Sequence, residues 1–185
     1  MKTISIDLER CLSSERLRHS KAVAQTAMLL NHTYALGLDD QELGIAGLYH
    51  DLAREWKDQE LLEYTHTKKI EVTPDELANP TLLHGPVAAH LMQATGPSDE
   101  VLLAIRHHTL GSVEMGSLGL LIYLADYLEP NRTHITEDVR LRLLGLQPVE
   151  ALAMAVIDDG RAWQPDGLLE PTKILYRSLK EGLGR

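Results

Sequence analysis

Apolar residues recur every three or four positions along most of the chain, which is the spacing of one face of a helix. After Ser13, for example, Val23, Ala27, Leu30 and Tyr34 form a single stripe. Serine is a favoured N-cap residue, so a helix is predicted from about this position to about residue 36. Polar residues suited to capping a helix N-terminus, at 39–40 and 98–100, predict the start of further helices. The strongly apolar segment 118–129 predicts a central helix.

Glycine and proline divide these helical segments. Gly37 follows the first helix, the Gly-Pro pairs at 85–86 and 96–97 begin and end another, and Pro130 stops the central one. No segment alternates apolar and polar residues over five positions with β-branched enrichment, so strands are not expected. Internal repeats and long linkers are also absent from the sequence. The sequence therefore predicts one all-α domain over residues 1–185, a bundle of about seven to nine helices.

Composition narrows the class of protein. Acidic residues outnumber basic ones by 27 to 18, a net charge of −9, which argues against general binding to nucleic acid or to a membrane surface. Cys11 is the single cysteine, so neither an internal disulfide nor a cysteine-based zinc finger can form. The first ten residues lack a signal-peptide core, and no apolar run nears the roughly 18 residues of a membrane span. A cytoplasmic protein with no membrane or nucleic-acid partner is the expectation.

Histidine is unusually frequent, since the chain has nine histidines and no phenylalanine. Several histidines and aspartates lie on or at the end of predicted apolar helices, where an unpaired polar side chain would cost free energy. The residues that stand out in this respect are His19, His50, Asp51, His84, His108 and Asp126. Imidazole nitrogens and carboxylate oxygens, without thiolates, suit first-row metal ions.

Six donors exceed the needs of one four-coordinate ion. Two ions about 3.5–4 Å apart that share a carboxylate would use them all. Consecutive helical residues differ by about 100° in direction, so His50 and Asp51 could face one cavity while reaching different ions. Because the donors come from five predicted helices, the site requires a folded core, as metal sites in helical bundles do.

Several segments around these residues resemble one protein family. They are His19-Ser20, the His50-Asp51 doublet, and the sequences HGPV at 84–87, RHHT at 106–109 and IYLADYLEPNR at 122–132. In this order they are similar to the YqeK branch of the HD-domain metal-dependent phosphohydrolases. The resemblance extends from about Arg16 to about Thr172.

The resemblance implies an HD-domain helical bundle with a dinuclear metal site in its core. Members of this branch cleave diadenosine tetraphosphate symmetrically to two ADP and carry two iron ions. The family's ligands correspond to the six residues selected above, and His50, Asp51 and Asp126 would have the catalytic role. From the residue chemistry alone, manganese, cobalt, nickel or zinc would serve as well.

The family's nucleotide-phosphate contacts correspond to Arg16, Arg54 and Arg132. Arg16 lies three residues before His19, which places both on nearly the same helical face. Arginine suits such contacts because its guanidinium can pair with two phosphate oxygens at once. Two other hypotheses stay open, an HD phosphohydrolase that acts on another nucleotide and a nucleotide-sensing domain without catalysis. A homodimer is left open as well.

The remaining histidines have no counterpart in the family pattern. We expect solvated or hydrogen-bonded side chains at His32, His66, His90 and His134. His107 directly precedes His108 and would be the ligand instead under a different helix register. His107 and Glu55 are also candidates for proton transfer. The segment 133–136 reads THIT where the family commonly has Phe-Pro-Gly.

Overall fold

The computed structural model describes residues 6–161 and 167–183. Within these residues the chain forms eleven α-helices, two short 3-10 helices and no β-strand, which confirms the predicted all-α class. The α-helices are α1 (Leu8–Cys11), α2 (Ser14–Thr33), α3 (Asp40–Tyr49), α4 (Asp58–Lys68), α5 (Pro74–Ala78), α6 (His84–Gln93), α7 (Asp99–His107), α8 (Gly116–Leu128), α9 (Glu137–Leu144), α10 (Val149–Gly160) and α11 (Glu170–Leu183). The 3-10 helices span Pro80–Leu83 and Val113–Met115. None of these helices is both long enough and apolar enough to cross a bilayer.

Short helices account for the difference from the seven to nine that the sequence predicts. Helix α1 contains four residues, which is too few for a periodic pattern to appear. Proline at position 74 does predict the start of a short helix, and α5 begins there with five residues. Helix α2 also ends at Thr33 rather than near residue 36. It stops there because Ala35 adopts a left-handed conformation, with φ of 50°.

Side-chain caps determine where the long helices begin. Ser13 accepts a hydrogen bond from the backbone N–H of Arg16 at 3.2 Å, and Ser98 accepts one from Val101 at 3.3 Å. Asp39 caps α3 in the same way. Each cap satisfies an N–H group that has no partner within the first turn, so it fixes the start of the helix that follows.

Helix α8 lies at the centre of the bundle, as the apolar segment predicted. Its residues Leu121, Ile122 and Leu124 are fully buried, and the helix packs against α2, α3, α7 and α10. Burial of each such side chain stabilises the fold by about 1.5–3 kcal/mol. The aliphatic core around α8 therefore holds the helices that carry the candidate site.

Two pairs of helices cross at glycines. A Cβ atom on Gly47 of α3 would lie 2.5 Å from the Cα atom of Ala24 in α2. A Cβ atom on Gly85 of α6 would lie 2.7 Å from the carbonyl oxygen of Arg106 in α7. Only glycine lets two backbones approach so closely. These crossings fix α2 against α3 and α6 against α7.

Gly47→Ala is expected to lower the free energy of unfolding by about 1–3 kcal/mol, because the added methyl group can be accommodated only by separating α2 from α3. Gly44→Ala is the matched control on the same helix, since a Cβ atom there meets nothing within 4 Å. This control should be neutral or stabilising by up to about 1 kcal/mol. Urea unfolding followed by circular dichroism measures both variants. Equal effects would show that the crossing tolerates a side chain.

Candidate metal centre

The six candidate ligands lie together in the core of the bundle. They come from α2 (His19), the end of α3 (His50 and Asp51), the start of α6 (His84), the end of α7 (His108) and α8 (Asp126). The side chain of Asp126 is 21% exposed, and the other five residues are buried. The structure thus gathers all six from five helices, and it places four of them at helix ends rather than on helix faces.

The carboxylate of Asp51 lies between two pairs of histidines. Its Oδ2 atom is 3.5 Å from the Nε2 atoms of both His19 and His50. Its Oδ1 atom is 3.3 Å from Nε2 of His84 and 3.6 Å from Nε2 of His108. One carboxylate therefore presents a separate oxygen to each group of nitrogen donors.

Asp126 adds an oxygen to the first of these groups. Its Oδ1 atom is 3.0 Å from Nε2 of His19 and 3.8 Å from Nε2 of His50. Two sets of three donor atoms lie within 4.8 Å of one another, namely His19, His50 and Asp126, and His50, Asp51 and His108. Metal ions bound by nitrogen and oxygen at about 2.0–2.2 Å require donors that are grouped in this way.

Three of the histidine rings are held by backbone carbonyls. The Nδ1 atoms of His50, His84 and His108 donate to the carbonyl oxygen of the residue three positions earlier, at 2.7, 2.5 and 2.8 Å. A neutral imidazole that donates from Nδ1 carries a lone pair on Nε2. All three Nε2 lone pairs therefore point into the centre, where they are free to bind a metal ion.

Acceptor atoms outnumber protons around His84 and His108. The two Nε2 atoms are 3.0 Å apart, and both lie within 3.6 Å of Oδ1 of Asp51. The Thr109 hydroxyl is 3.3 and 3.1 Å from the two nitrogens but has a single proton to donate. Three buried acceptors around one proton repel each other unless a cation lies among them. The chemistry of the donor set therefore fits a bound metal ion.

His19 is oriented by a side chain that sequence reasoning missed. His19 lies inside α2, where the backbone carbonyls are engaged in the helix, and its Nδ1 atom lies 3.1 Å from Oε1 of Glu129. The Oε2 atom of Glu129 accepts hydrogen bonds from the backbone and side-chain N–H groups of Asn131, at 2.6 and 2.9 Å. Glu129 is only 1% exposed. Its place three residues after Asp126, on the same side of an apolar helix, is the signal that could have revealed it.

Neighbouring groups keep both aspartates ionised. Burial by itself would raise the pKa of Asp51, but the charge that His50 can carry holds this pKa well below its usual value. Burial also opposes ionisation of Asp126, but its contact with the His19 ring and the charge of Arg132 lower its pKa. Ionised carboxylates are the form that binds metal ions.

Two of the three candidate arginines already pair with these carboxylates. Arg16 lies 2.7 Å from Oδ2 of Asp51. Arg132 pairs with the carboxylate of Asp126 and donates from Nε to its carbonyl oxygen at 2.7 Å. Arg54 is half-buried one turn beyond Asp51, and its side chain pairs with no carboxylate among the described residues. The two paired arginines are 26% and 31% exposed, so they lie where the centre opens to solvent.

The structure brings His108, and not His107, into the centre. Burial lowers the pKa of His108, while burial and the charge of Arg106 lower the pKa of His107 to about 4. Both imidazoles are therefore neutral near pH 7. His107 instead lines a separate cavity of about 1020 Å³, which we call the α6–α7 cavity because residues of both helices line it.

Glu55, the other candidate for proton transfer, has a structural contact away from the six ligands. Its Oε2 atom accepts a hydrogen bond from the backbone N–H of Ser13 at 2.7 Å. The carboxylate thus helps to hold the start of α2, on which Arg16 and His19 lie.

A second cavity, of about 420 Å³, opens beside the centre, and we call it the α8 cavity. Its wall includes Asp126 and Arg132 on one hand and the rings of Tyr123, Tyr127 and His134 on the other. The α8 cavity therefore offers an aromatic surface and a guanidinium group next to the candidate ligands.

His134 differs from the sequence expectation. His32 and His90 are hydrogen-bonded as expected, to Asp40 at 2.6 Å and to Tyr64 at 3.1 Å, and His66 is exposed. The Nε2 atom of His134, however, is buried and has no hydrogen-bond partner among the described residues.

The loop after α8 carries His134 to this position. Arg140 holds that loop by donating to the carbonyl oxygens of Leu128 and Arg132 at 2.8 and 2.9 Å. This places the His134 ring against Tyr127, with 4.5 Å between ring centroids. No helical or strand pattern in the sequence encodes this loop conformation.

Histidines and aspartates, including a consecutive His-Asp pair, thus meet at one buried point of a helical bundle. The chain belongs to the HD domain family, whose model matches residues 16–131. HD-domain hydrolases are metal-dependent, which agrees with the donor groups described above.

Curated relatives and a solved structure agree with this assignment. The chain is 38% identical over 125 residues to the symmetrical bis(5'-nucleosyl)-tetraphosphatase of Bacillus subtilis (strain 168), a match that covers 65% of this chain and 64% of that protein. It is also 38% identical over 125 residues to the protein of the same name from Staphylococcus aureus, and this match covers 66% of this chain and 62% of that protein. The matches thus span a little under two thirds of these relatives.

The solved structure comes from Clostridium acetobutylicum and is described as a predicted HD superfamily hydrolase involved in NAD metabolism. It superposes with a TM-score of 0.83 at 28% identity, over 94% of this chain and 93% of that one. The similarity therefore extends beyond the matched HD segment to nearly the whole helical fold.

Glu129→Gln is expected to weaken binding of Mn²⁺ by about 10- to 100-fold, the usual effect of losing a group that orients a ligand histidine. The amide oxygen would stay with Asn131, so the amide N–H₂ would face His19 and favour the tautomer with its proton on Nε2. Isothermal titration calorimetry measures the affinity, and Glu63→Gln on the exposed surface of α4 is the control. In a protein that already carries His19→Ala, the Glu129→Gln substitution should not weaken Mn²⁺ binding any further. Equal losses in both backgrounds would contradict a role through His19.

Proposed function

We propose that this protein is a phosphoanhydride hydrolase that cleaves diadenosine tetraphosphate, and related dinucleoside tetraphosphates, symmetrically into two nucleoside diphosphates. With the diadenosine substrate the product is ADP alone. The observation that carries the proposal is the position of Asp51, whose two oxygens face two separate histidine pairs. A carboxylate in this position suits a two-metal site, the kind of site that serves displacement at phosphorus.

In this proposal the six donors hold two metal ions. The first group comprises His19, His50 and Asp126, the second comprises His84 and His108, and Asp51 is shared. Bound ions supply positive charge for phosphate oxygens and lower the pKa of water. The resemblance favours iron, and the donor types also suit manganese, cobalt, nickel or zinc. His50, Asp51 and Asp126 have the catalytic role because they lie where the reacting phosphates would meet the ions.

The arginines bind the polyphosphate in this proposal. Arg16 and Arg132 are the partners of Asp51 and Asp126 in the structure. Cations at the centre would replace them as partners of the carboxylates, so the guanidinium groups become available to phosphate oxygens. Arg54 adds a third positive group one turn beyond Asp51. Local positive charge of this kind lets a chain with a net charge of −9 bind a polyanion.

One nucleoside of the substrate fits the α8 cavity. Tyr127 and His134 provide ring surfaces there, and base–aromatic stacking is favourable for any base. Asp126 and Arg132 line the same cavity. The ribose of this nucleotide would therefore lie between the aromatic wall and the centre, with its phosphates next to Arg132.

Symmetrical cleavage adds one water molecule across the central phosphoanhydride. A P–O bond to the central bridging oxygen breaks, and a nucleoside diphosphate leaves with that oxygen. Such a leaving group needs no strong general acid. The contacts of His107 and Glu55 described above agree with this, because neither side chain reaches the six ligands.

Further support comes from the relatives, since the proteins from B. subtilis and S. aureus are named for symmetrical cleavage. The complete set of six donors favours a hydrolase over a nucleotide-sensing domain without catalysis. A cytoplasmic location fits the proposed nucleotide substrate.

The decisive test is product analysis. Protein whose metal content has been measured by elemental analysis is incubated with diadenosine tetraphosphate, and the products are separated by ion-exchange chromatography. We expect ADP as the sole nucleotide product, and in H₂¹⁸O we expect one label in the β-phosphate of half of the ADP. Formation of AMP and ATP would exclude symmetrical cleavage, and turnover of other nucleotides alone would exclude the substrate.

Asp51→Asn is expected to lower kcat by at least about 100- to 1,000-fold, because it removes the charge shared by both donor groups. The variant should also retain less metal when it is purified like the unaltered protein. Circular dichroism shows whether the fold is kept, and Glu63→Gln serves as the surface control. An Asp51→Asn protein with unaltered kcat would contradict the two-metal site.

A further inference from the structure

The α6–α7 cavity is a large space that the proposed function leaves unused. It has a volume of about 1020 Å³ and lies between the end of α4, α6, α7 and the start of α11. Apolar side chains on its wall include Pro86, Ala89, Leu102 and Leu103. Cavities that bind ligands of nucleoside size commonly measure about 300–1,000 Å³, so this one can accept such a ligand.

Thr109 connects this cavity with the candidate metal centre. Thr109 lines both the α6–α7 cavity and the α8 cavity. Its hydroxyl oxygen is 3.1 Å from Nε2 of His108 and 3.3 Å from Nε2 of His84. The α6–α7 cavity therefore begins one side chain away from the second group of donors.

The proposed substrate needs two binding spaces that meet at the centre. The bond that breaks lies in the middle of the molecule, and an equal half extends from it on each side. The α8 cavity, at about 420 Å³, has room for one nucleoside and borders Asp126 and Arg132. The other half must leave the centre in a different direction, and the α6–α7 cavity adjoins the centre at Thr109.

The charges of the α6–α7 cavity indicate which part of the substrate it takes. Its wall holds three basic side chains, Lys68, Lys69 and Arg106, and four acidic ones, Glu71, Glu76, Asp99 and Glu114. Such a nearly balanced wall does not favour a polyphosphate, which needs excess positive charge. Mixed polar and apolar groups suit the uncharged ribose and base instead.

We propose that the α6–α7 cavity binds the second nucleoside of the dinucleoside tetraphosphate, while the phosphates stay at the centre beside Thr109. This inference rests on the proposed function. It assigns the two halves of a symmetrical substrate to two unlike cavities, so that the enzyme selects molecules with a nucleoside at both ends of the phosphate chain.

The test compares two substrates that share the tetraphosphate, diadenosine tetraphosphate and adenosine 5'-tetraphosphate, which has one nucleoside. Leu103→Trp fills the cavity from α7. We expect kcat/KM for the dinucleoside to fall at least about tenfold, as for other substrates that lose a fitted pocket, while kcat/KM for adenosine tetraphosphate is unchanged. Val113→Trp, at a rim position that is 53% exposed, repeats the test without altering the core. Leu29→Trp, 59% exposed on α2, is the control and should alter neither value.

The outcomes separate this inference from the proposed function. If the unaltered protein does not convert diadenosine tetraphosphate to ADP, the proposed function fails. The inference itself is wrong if the unaltered protein forms ADP but the two variants, Leu103→Trp and Val113→Trp, lower kcat/KM equally for both substrates or for neither. The second nucleoside then binds elsewhere. Selective loss of the dinucleoside activity in both variants supports it.

Discussion

The ionised carboxylate of Asp51 in the core is the constraint on which the candidate site depends. It is 3% exposed, and a buried charge without partners is very unfavourable. The partners that surround it come from α2, α3, α6 and α7, which are distant in the sequence. The bundle must therefore pack before the charge can be buried. Folding and assembly of the centre are consequently one process, because these polar groups reach their partners only when the helices pack together.

The orientation of each histidine ring depends on whether a backbone carbonyl oxygen is available to accept a hydrogen bond from its Nδ1 atom. His50, His84 and His108 lie at helix ends, where the carbonyl oxygen three residues earlier is available to Nδ1. His19 lies inside α2, where the carbonyls are already used, and it needs the carboxylate of Glu129. All four rings thus direct Nε2 to the same point by two different means.

Local patterns in the sequence predicted the all-α class, the caps at Ser13, Asp39 and Ser98, and the convergence of the six candidate ligands. The sequence predicted that His50 and Asp51 face the cavity as consecutive residues of one helix. That prediction was wrong in one respect, since both residues follow the end of α3. Glu129 was missed because its role depends on a contact with His19, which is distant in the sequence. His134 was missed because the conformation of an irregular loop places its ring against Tyr127. The two cavities could not be predicted either, because they are spaces between helices whose packing no local pattern specifies.

The fold can be understood as two helix pairs that each carry one histidine pair. Gly47 lets α2 and α3 approach closely, and these helices supply His19 and His50. Gly85 does the same for α6 and α7, which supply His84 and His108. Asp51 joins the pairs, with one oxygen toward each. Since its two oxygens belong to one rigid group, a change in either crossing would shift the distance between the two halves of the centre. The glycines therefore matter to the chemistry as much as to the packing.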